Sequence, residues 1–221
     1  MIAEAYVFDA YGTLFDIHAA IGRHTETIGA EKGRLLSEAW RQKQLEFSWI
    51  RALAGRYRDF AALTEEALDS ALARVAPEHA RLKPALLEAY RHLDVYPEVR
   101  SVLSRLKAAG ARTAILSNGT PGMLASAIES AKIGDVLDAS ISVDALATYK
   151  TDPRVYALAV RELGVESAEI SFQSSNRWDI AGAVAFGLRA VWINRSGQPD
   201  EYGDLQPHAV YPTLQGLLDF A

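Results

Sequence analysis

Ala5-Tyr6-Val7-Phe8-Asp9-Ala10-Tyr11-Gly12-Thr13-Leu14-Phe15-Asp16 decides the fold. Its first four residues form a short apolar run, halted by a carboxylate and then a glycine, which reads as a buried strand feeding a functional loop. The pattern returns along the chain. Thr113-Ala114-Ile115-Leu116 stops at Ser117-Asn118-Gly119, and Ile170-Ser171-Phe172 stops at Gln173-Ser174-Ser175-Asn176. Ile141-Ser142-Val143, Ala190-Val191-Trp192-Ile193 and Ala209-Val210-Tyr211 are further strand candidates. Helical patterns lie between them. One is opened by Pro97-Glu98 and closed by Gly110, with Val99, Leu103 and Leu106 on one face; others cover roughly 121–132, 153–163 and 179–186. Strands alternating with helices predict an α/β fold, a Rossmann-like parallel sheet core with helices on both faces.

One interval breaks the rhythm. Asp9 and Ser117 are 108 positions apart, whereas a βαβ unit needs only ~30 residues. Residues 17–92 contain no convincing strand and read as helices: Leu35-Leu36, Ala39-Trp40 and Lys43 to Ile50, then Phe60 to Val75, then Leu86 to Leu93. The expected organisation is an α/β core from residues 1–16 and 93–221, interrupted by an inserted α-helical cap domain over 17–92. Such an insert sits over the carboxyl ends of the parallel strands, where open α/β sheets bind ligands.

Composition narrows the chemistry. The chain has 221 residues, a formal net charge of −5 and no cysteine, which excludes disulfides, thiolate metal sites and thiol catalysis. Its 49% apolar and 23% charged residues are those of a globular protein. Mild acidity argues against a nucleic-acid partner, since Arg51, Arg56 and Arg58 are the one basic cluster. The N-terminus lacks the basic region of a signal peptide, and no apolar run approaches the ~20 residues that span a bilayer. A cytoplasmic protein with no membrane partner is the expectation.

The polar residues worth weighing fall at the strand ends: Asp9 with Thr13, Ser117 with Asn118, Lys150 after the Ile141 strand, and Ser174-Ser175-Asn176 with Asp179. Taken singly each has an ordinary reading. Asp9 fits a loop-start cap, Asn118-Gly119 a turn, Lys150 a surface lysine and Asp179 the N-cap of the 179–186 helix. Together, four convergent junctions carrying two carboxylates, neutral donors and a lysine make an active-site constellation.

The segment Asp9 to Asp16 resembles the first motif of the haloacid dehalogenase superfamily, and more narrowly that of the L-2-haloacid dehalogenases. Trp40-Arg41-Gln42, Leu116-Ser117-Asn118-Gly119, Tyr149-Lys150 with Arg154-Val155-Tyr156, and Ser174-Ser175-Asn176-Arg177-Trp178-Asp179 also resemble that branch, so the likeness runs along nearly the whole chain. Tyr11 stands where the superfamily's phosphatases carry a second Asp to protonate an alkoxide. Halide is a weak base and needs no such acid. Ser175 stands where those phosphatases place a metal-binding carboxylate. With a carboxylate lost and no i,i+4 pair among His18, His24, His79, His92 and His208, no metal and no cofactor are expected.

The resemblance implies roles. Asp9 is the nucleophile that displaces halide from C2 of a small 2-haloacid. Ser117 and backbone N–H groups near Tyr11 and Leu14 grip the substrate carboxylate. Arg41 and Asn118 receive the halide. Lys150 keeps Asp9 ionised, and Asp179 activates or orients the water that completes hydrolysis. Ser174 and Asn176 position that machinery, and Thr13 orients Asp9. Tyr11, Leu45, Phe60 and Trp178 line the alkyl pocket, with Leu45 on the Arg41 face at i+4, and Tyr156 supports Asp9 or Lys150. A homodimer through the helical part is implied as well. Three rivals stay open: hydrolysis of another 2-substituted carboxylate, a metal-dependent phosphatase, and a binding module of the same fold without activity.

Overall fold

Six parallel strands form one sheet in the computed structural model, which describes residues 3–220. β1 (Ala5–Phe8) leads into five helices: α1 (Ala19–Gly22), α2 (Thr25–Ile28), α3 (Ala30–Leu53), α4 (Phe60–Val75) and α5 (Lys83–Arg91). The alternating part follows as α6 (Val99–Ala108), β2 (Arg112–Ser117), α7 (Pro121–Ala131), β3 (Ala139–Ser142), α8 (Pro153–Leu163), β4 (Ile170–Ser174), α9 (Arg177–Phe186), β5 (Arg189–Ile193) and β6 (Ala209–Tyr211). The strand order is β3-β2-β1-β4-β5-β6. The chain winds away from β1 in one direction and returns beside it as β4, so the order switches between those two strands. That switch point is where an open α/β sheet leaves a crevice outside its strand ends.

The period of two explains the layers. Tyr6 and Phe8 of β1 and Ile115 of β2 join Val99, Val102, Leu103 and Leu106 of α6 on one face. Ala5, Val7, Ala114, Leu116 and Phe172 meet Val155, Ala159, Ile180 and Ala183 of α8 and α9 on the other. With both faces covered, the central strands are apolar on successive residues, as parallel strands are.

Two helix starts differ from the sequence reading. α6 begins at Val99 rather than Pro97, and α9 at Arg177 rather than Asp179. Asn176, not Asp179, holds the N-cap position of α9, yet its side chain makes no capping bond. Val143, expected in the third strand of the chain, lies in a 3₁₀ turn just beyond β3.

No strand interrupts residues 17–92 among the described residues. α3 packs along α4: Trp40 Nε1 donates to Thr64 O at 2.9 Å, and Gln44 Nε2 to Thr64 Oγ1 at 3.1 Å. Leu36, Trp40, Leu68, Leu72 and Leu86 belong to the same buried cluster as Tyr6, Leu14 and Leu103, while Phe60 and Leu63 join the cluster of the other sheet face, so the helical segment continues both. The two connections to it run side by side. Phe15 bridges Val95, Asp16 N donates to Asp94 O at 2.8 Å, and Tyr96 N donates to Leu14 O at 3.1 Å. Among the described residues no helix is long and apolar enough to cross a membrane.

Candidate active site

Asp9 follows β1 directly, and its N–H donates to Gln173 O at 2.8 Å, adding one rung to the β1–β4 ladder. Gly12, at φ +91°, then turns the chain back so that Leu14 N and Phe15 N both donate to Ala10 O, at 2.9 and 3.0 Å. A side chain at that φ would be strained. The turn aims Thr13 at Asp9: Thr13 Oγ1 donates to Asp9 Oδ2 at 3.2 Å and accepts from Ser175 N at 2.8 Å.

Around Asp9 the donors converge from separate elements. Asn176 Nδ2 reaches Oδ2 at 2.9 Å, Ser174 Oγ lies 3.5 Å from it, and Lys150 Nζ meets Oδ1 at 3.0 Å. The same ammonium lies 2.8 Å from Asp179 Oδ2, while Tyr156 Oη donates to Asp179 Oδ1 at 2.9 Å. Lys150 is 1% exposed, Asp179 0% and Asp9 6%. Buried carboxylates are tolerated when paired and hydrogen-bonded, and here one cation serves two of them.

The electrostatics follow from that geometry. Burial raises the carboxyl of Asp179 above the usual carboxylate range; Lys150 opposes the shift and Asp9 reinforces it. For Lys150, burial acts to depress the ammonium, but Asp179 and Asp9 outweigh it and the net shift is upward. The lysine therefore stays charged at neutral pH. Burial also pushes the phenols of Tyr11 and Tyr156 well up, with Tyr90 adding to the first and Asp179 to the second.

Arg41 reaches in from α3. Its Nη2 lies 3.4 Å from Tyr11 O and 3.3 Å from Asn176 Oδ1, so Asn176 links a cation of the helical segment to the carboxylate on β1. Asn118 spends its carbonyl on Lys150 N at 3.0 Å, which turns its NH₂ away from that backbone. Ser117, fully buried at the end of β2, accepts from Gly119 N at 3.1 Å and keeps its own proton for another acceptor. Tyr11 stacks on Tyr90 at 5.5 Å and tilts against Phe60 at 6.2 Å, so apolar walls from both parts of the chain meet beside Asp9.

The fold thus gathers Asp9, Thr13, Arg41, Asn118, Lys150, Tyr156, Ser174, Asn176 and Asp179 in one bonded network, with Tyr11, Phe60 and Ser117 beside it. Leu45 and Trp178 have other surroundings. Leu45 lines an outer groove of α3 with Gln42, Trp49, Ile50 and Leu53. Trp178 meets Trp49 edge-on at 5.5 Å and lines a groove of about 790 Å³ that Tyr149, Lys150 and Thr151 also line. Two builders of the wall escaped the sequence reading. Tyr90 packs against Tyr11 and Trp40, and Gln44 lies 3.5 Å from the Tyr90 hydroxyl. A buried Gln one turn from Arg41 is the signal that could have found them, since an amide on an apolar face needs partners. Among the described residues no three His, Cys, Asp or Glu gather around a metal-sized site, and the space between Asp9 and Asp179 holds an ammonium.

The model of the haloacid dehalogenase-like hydrolase family matches residues 3–187. The chain belongs to that family. Within the haloacid dehalogenase-like hydrolases it is 51% identical over 202 residues to (S)-2-haloacid dehalogenase 1 of Pseudomonas sp. strain CBS-3, covering 90% of this chain and 88% of that protein. A crystal structure of a dehalogenase with an intermediate complex superposes with a TM-score of 0.95 at 44% identity, covering 99% of this chain and 96% of that one. The L-2-haloacid dehalogenase of Xanthobacter autotrophicus with chloropropionic acid covalently bound superposes with a TM-score of 0.87 at 36% identity, covering 100% and 98%. The family assignment and the α/β sheet core read from the sequence therefore stand.

Proposed function

We propose that the chain is an (S)-2-haloacid dehalogenase, hydrolysing small L-2-haloalkanoic acids to 2-hydroxy acids with inversion through an ester on Asp9. The observation that carries this is Asp9 itself: a buried carboxylate held by Lys150, Asn176, Thr13 and Ser174, with Arg41 reaching Tyr11 O and Asn176 Oδ1 beside it. A carboxylate so fixed is a pre-aimed nucleophile.

In the first step an oxygen of Asp9 bonds to C2 as the carbon–halogen bond breaks on the opposite side. The halide leaves with the bonding pair. Arg41 and the NH₂ of Asn118 meet that growing charge, and the Ser117 hydroxyl with the Tyr11 N–H holds the substrate carboxylate; the Leu14 N–H expected beside it is spent on Ala10 O. Tyr11 and Phe60 keep competing water out. In the second step water attacks the ester carbon of Asp9 and gives a proton to Asp179. The acyl–oxygen bond breaks, the departing alkoxide takes that proton, and Asp9 returns with one oxygen from water. The ammonium of Lys150 steadies the negative charge that builds on the ester oxygen. One proton and one halide are released for each water consumed.

The reading predicts halide release from L-2-chloropropionate and none from the D enantiomer, undiminished by EDTA, followed by a halide electrode. Magnesium-dependent hydrolysis of p-nitrophenyl phosphate with no halide release would mark a phosphatase instead.

The working form is a homodimer in this proposal. Trp49, Ile50 and Leu53 of α3 stand 38%, 61% and 88% exposed along one helix, an apolar strip that a second copy of the chain covers.

A further inference from the structure

We infer that Arg195 is a positioning residue for the nucleophile, acting through the main chain of Thr13 from behind the active site. Arg195 lies just beyond β5 and makes its main-chain contact at Thr13, within the loop that follows Asp9. Its Nη2 donates to Thr13 O at 2.8 Å, and its Nη1 pairs with Glu98 at 2.7 Å. The guanidinium lies 3.6 Å over the ring of Tyr96. Both ionic side chains are largely buried, at 15% and 8% exposure.

These contacts converge on two segments that matter to the chemistry. Tyr96 belongs to the connection that returns from the helical segment, and its N–H donates to Leu14 O at 3.1 Å. Thr13 belongs to the outgoing connection, and its hydroxyl is a donor to Asp9 Oδ2. Arg195 therefore holds one connection by its ring and the other by a carbonyl. Through the second it sets where the Thr13 hydroxyl stands against Asp9. Arg195 Nε is buried with no acceptor, so the guanidinium is not placed to fill its own hydrogen-bonding capacity. A planar fork that bonds a carboxylate with one nitrogen and a carbonyl with the other is a geometry lysine does not reproduce. Because in-line displacement is sensitive to the direction of the attacking oxygen, a small rotation of Asp9 slows ester formation, while the grip on the substrate carboxylate rests on Ser117 and the Tyr11 N–H, outside the Thr13–Leu14 peptide that Arg195 holds.

This inference rests on the dehalogenase reading, and its test separates the two. The reference is Asp179→Asn, in which the ester forms and persists; its rate of formation at saturating L-2-chloropropionate is followed by quenched-flow intact mass. Saturated single-turnover rates do not depend on how much of the enzyme is active, so a purely structural loss lowers amplitude and Tm and leaves the rate constant unmoved. Adding Arg195→Met is expected to slow ester formation about tenfold with half-saturation within twofold, and adding Arg195→Lys to slow it about threefold. Rate constants equal to the reference in both variants would overturn the inference. Should the methionine variant not fold, the lysine variant decides between threefold slower and equal. No ester in the Asp179→Asn reference removes the dehalogenase reading and this inference with it.

Discussion

Tyr156 and Asp179 show how a neighbour tunes a base. The phenol donates to Asp179 Oδ1 at 2.9 Å, and that bond, with Lys150, offsets part of the upward shift that burial imposes on the carboxyl. Asp179 must be ionised to take a proton from water, so kcat falls as pH drops through a value above the ordinary carboxylate range. Tyr156→Phe removes one stabiliser of the ionised form. The acid limb of kcat is expected to move to higher pH, and kcat on that limb to fall by about tenfold, the worth of one hydrogen bond to a charged group. A kcat–pH profile checks both, and an acid limb that stays in place contradicts the role. At this scale the sequence was legible where a polar residue followed a strand. Asp9, Ser117 and Ser174 are such residues, because a strand end fixes where its next side chain goes. Tyr90, Gln44 and Arg195 were not legible, since aromatic and amide positions on a helix, or an arginine in a loop, gain meaning only from what tertiary packing sets against them.

Helix α9 shows the same limit in an element. Asp179 looks like an N-cap because aspartate is a preferred cap. The helix instead starts at Arg177, and Asn176 in the cap position turns its amide to Asp9 and its carbonyl to Arg41. The site has taken the capping group, and a local rule fails where function competes with it. Glu98 is a parallel case: it lies in the cap position of α6 with no capping bond, and its carboxylate pairs with Arg195. Gly182 of α9 carries the second prediction. Alanine inside a helix ordinarily gains about 1 kcal/mol over glycine. A Cβ at Gly182, however, runs into Tyr156 Oη and comes within 2.8 Å of Thr151 Cβ. Gly182→Ala is therefore expected to lose about 1–3 kcal/mol to overpacking and to disturb Tyr156. Gly122→Ala in α7, where nothing lies within 4 Å, is the control and stays neutral or slightly stabilised. Urea unfolding of both variants decides, and a more stable Gly182→Ala refutes the close packing.

At the scale of the molecule, the parallel sheet and its long helical interruption were legible because short apolar runs halted by polar residues and glycine differ from long stretches patterned near a period of 3.6. Less legible was that the helical segment shares apolar clusters with both faces of the sheet. Periodicity says which face of a helix is apolar and not what covers it. Trp49, Ile50 and Leu53, with Leu35 nearer the start of α3, are left uncovered among the described residues of that segment. Light scattering is expected to give twice the chain mass, and Ile50→Asp with Leu53→Glu to give one chain mass with unchanged circular dichroism. A wild type at one chain mass contradicts the dimer. The central claim, that water attacks Asp9 rather than the substrate carbon, is tested most directly by a single turnover in ¹⁸O-water with enzyme in excess over L-2-chloropropionate. The account predicts the label in the peptide carrying Asp9 and unlabelled lactate of inverted configuration. Label in the lactate hydroxyl, with none in that peptide, would contradict it.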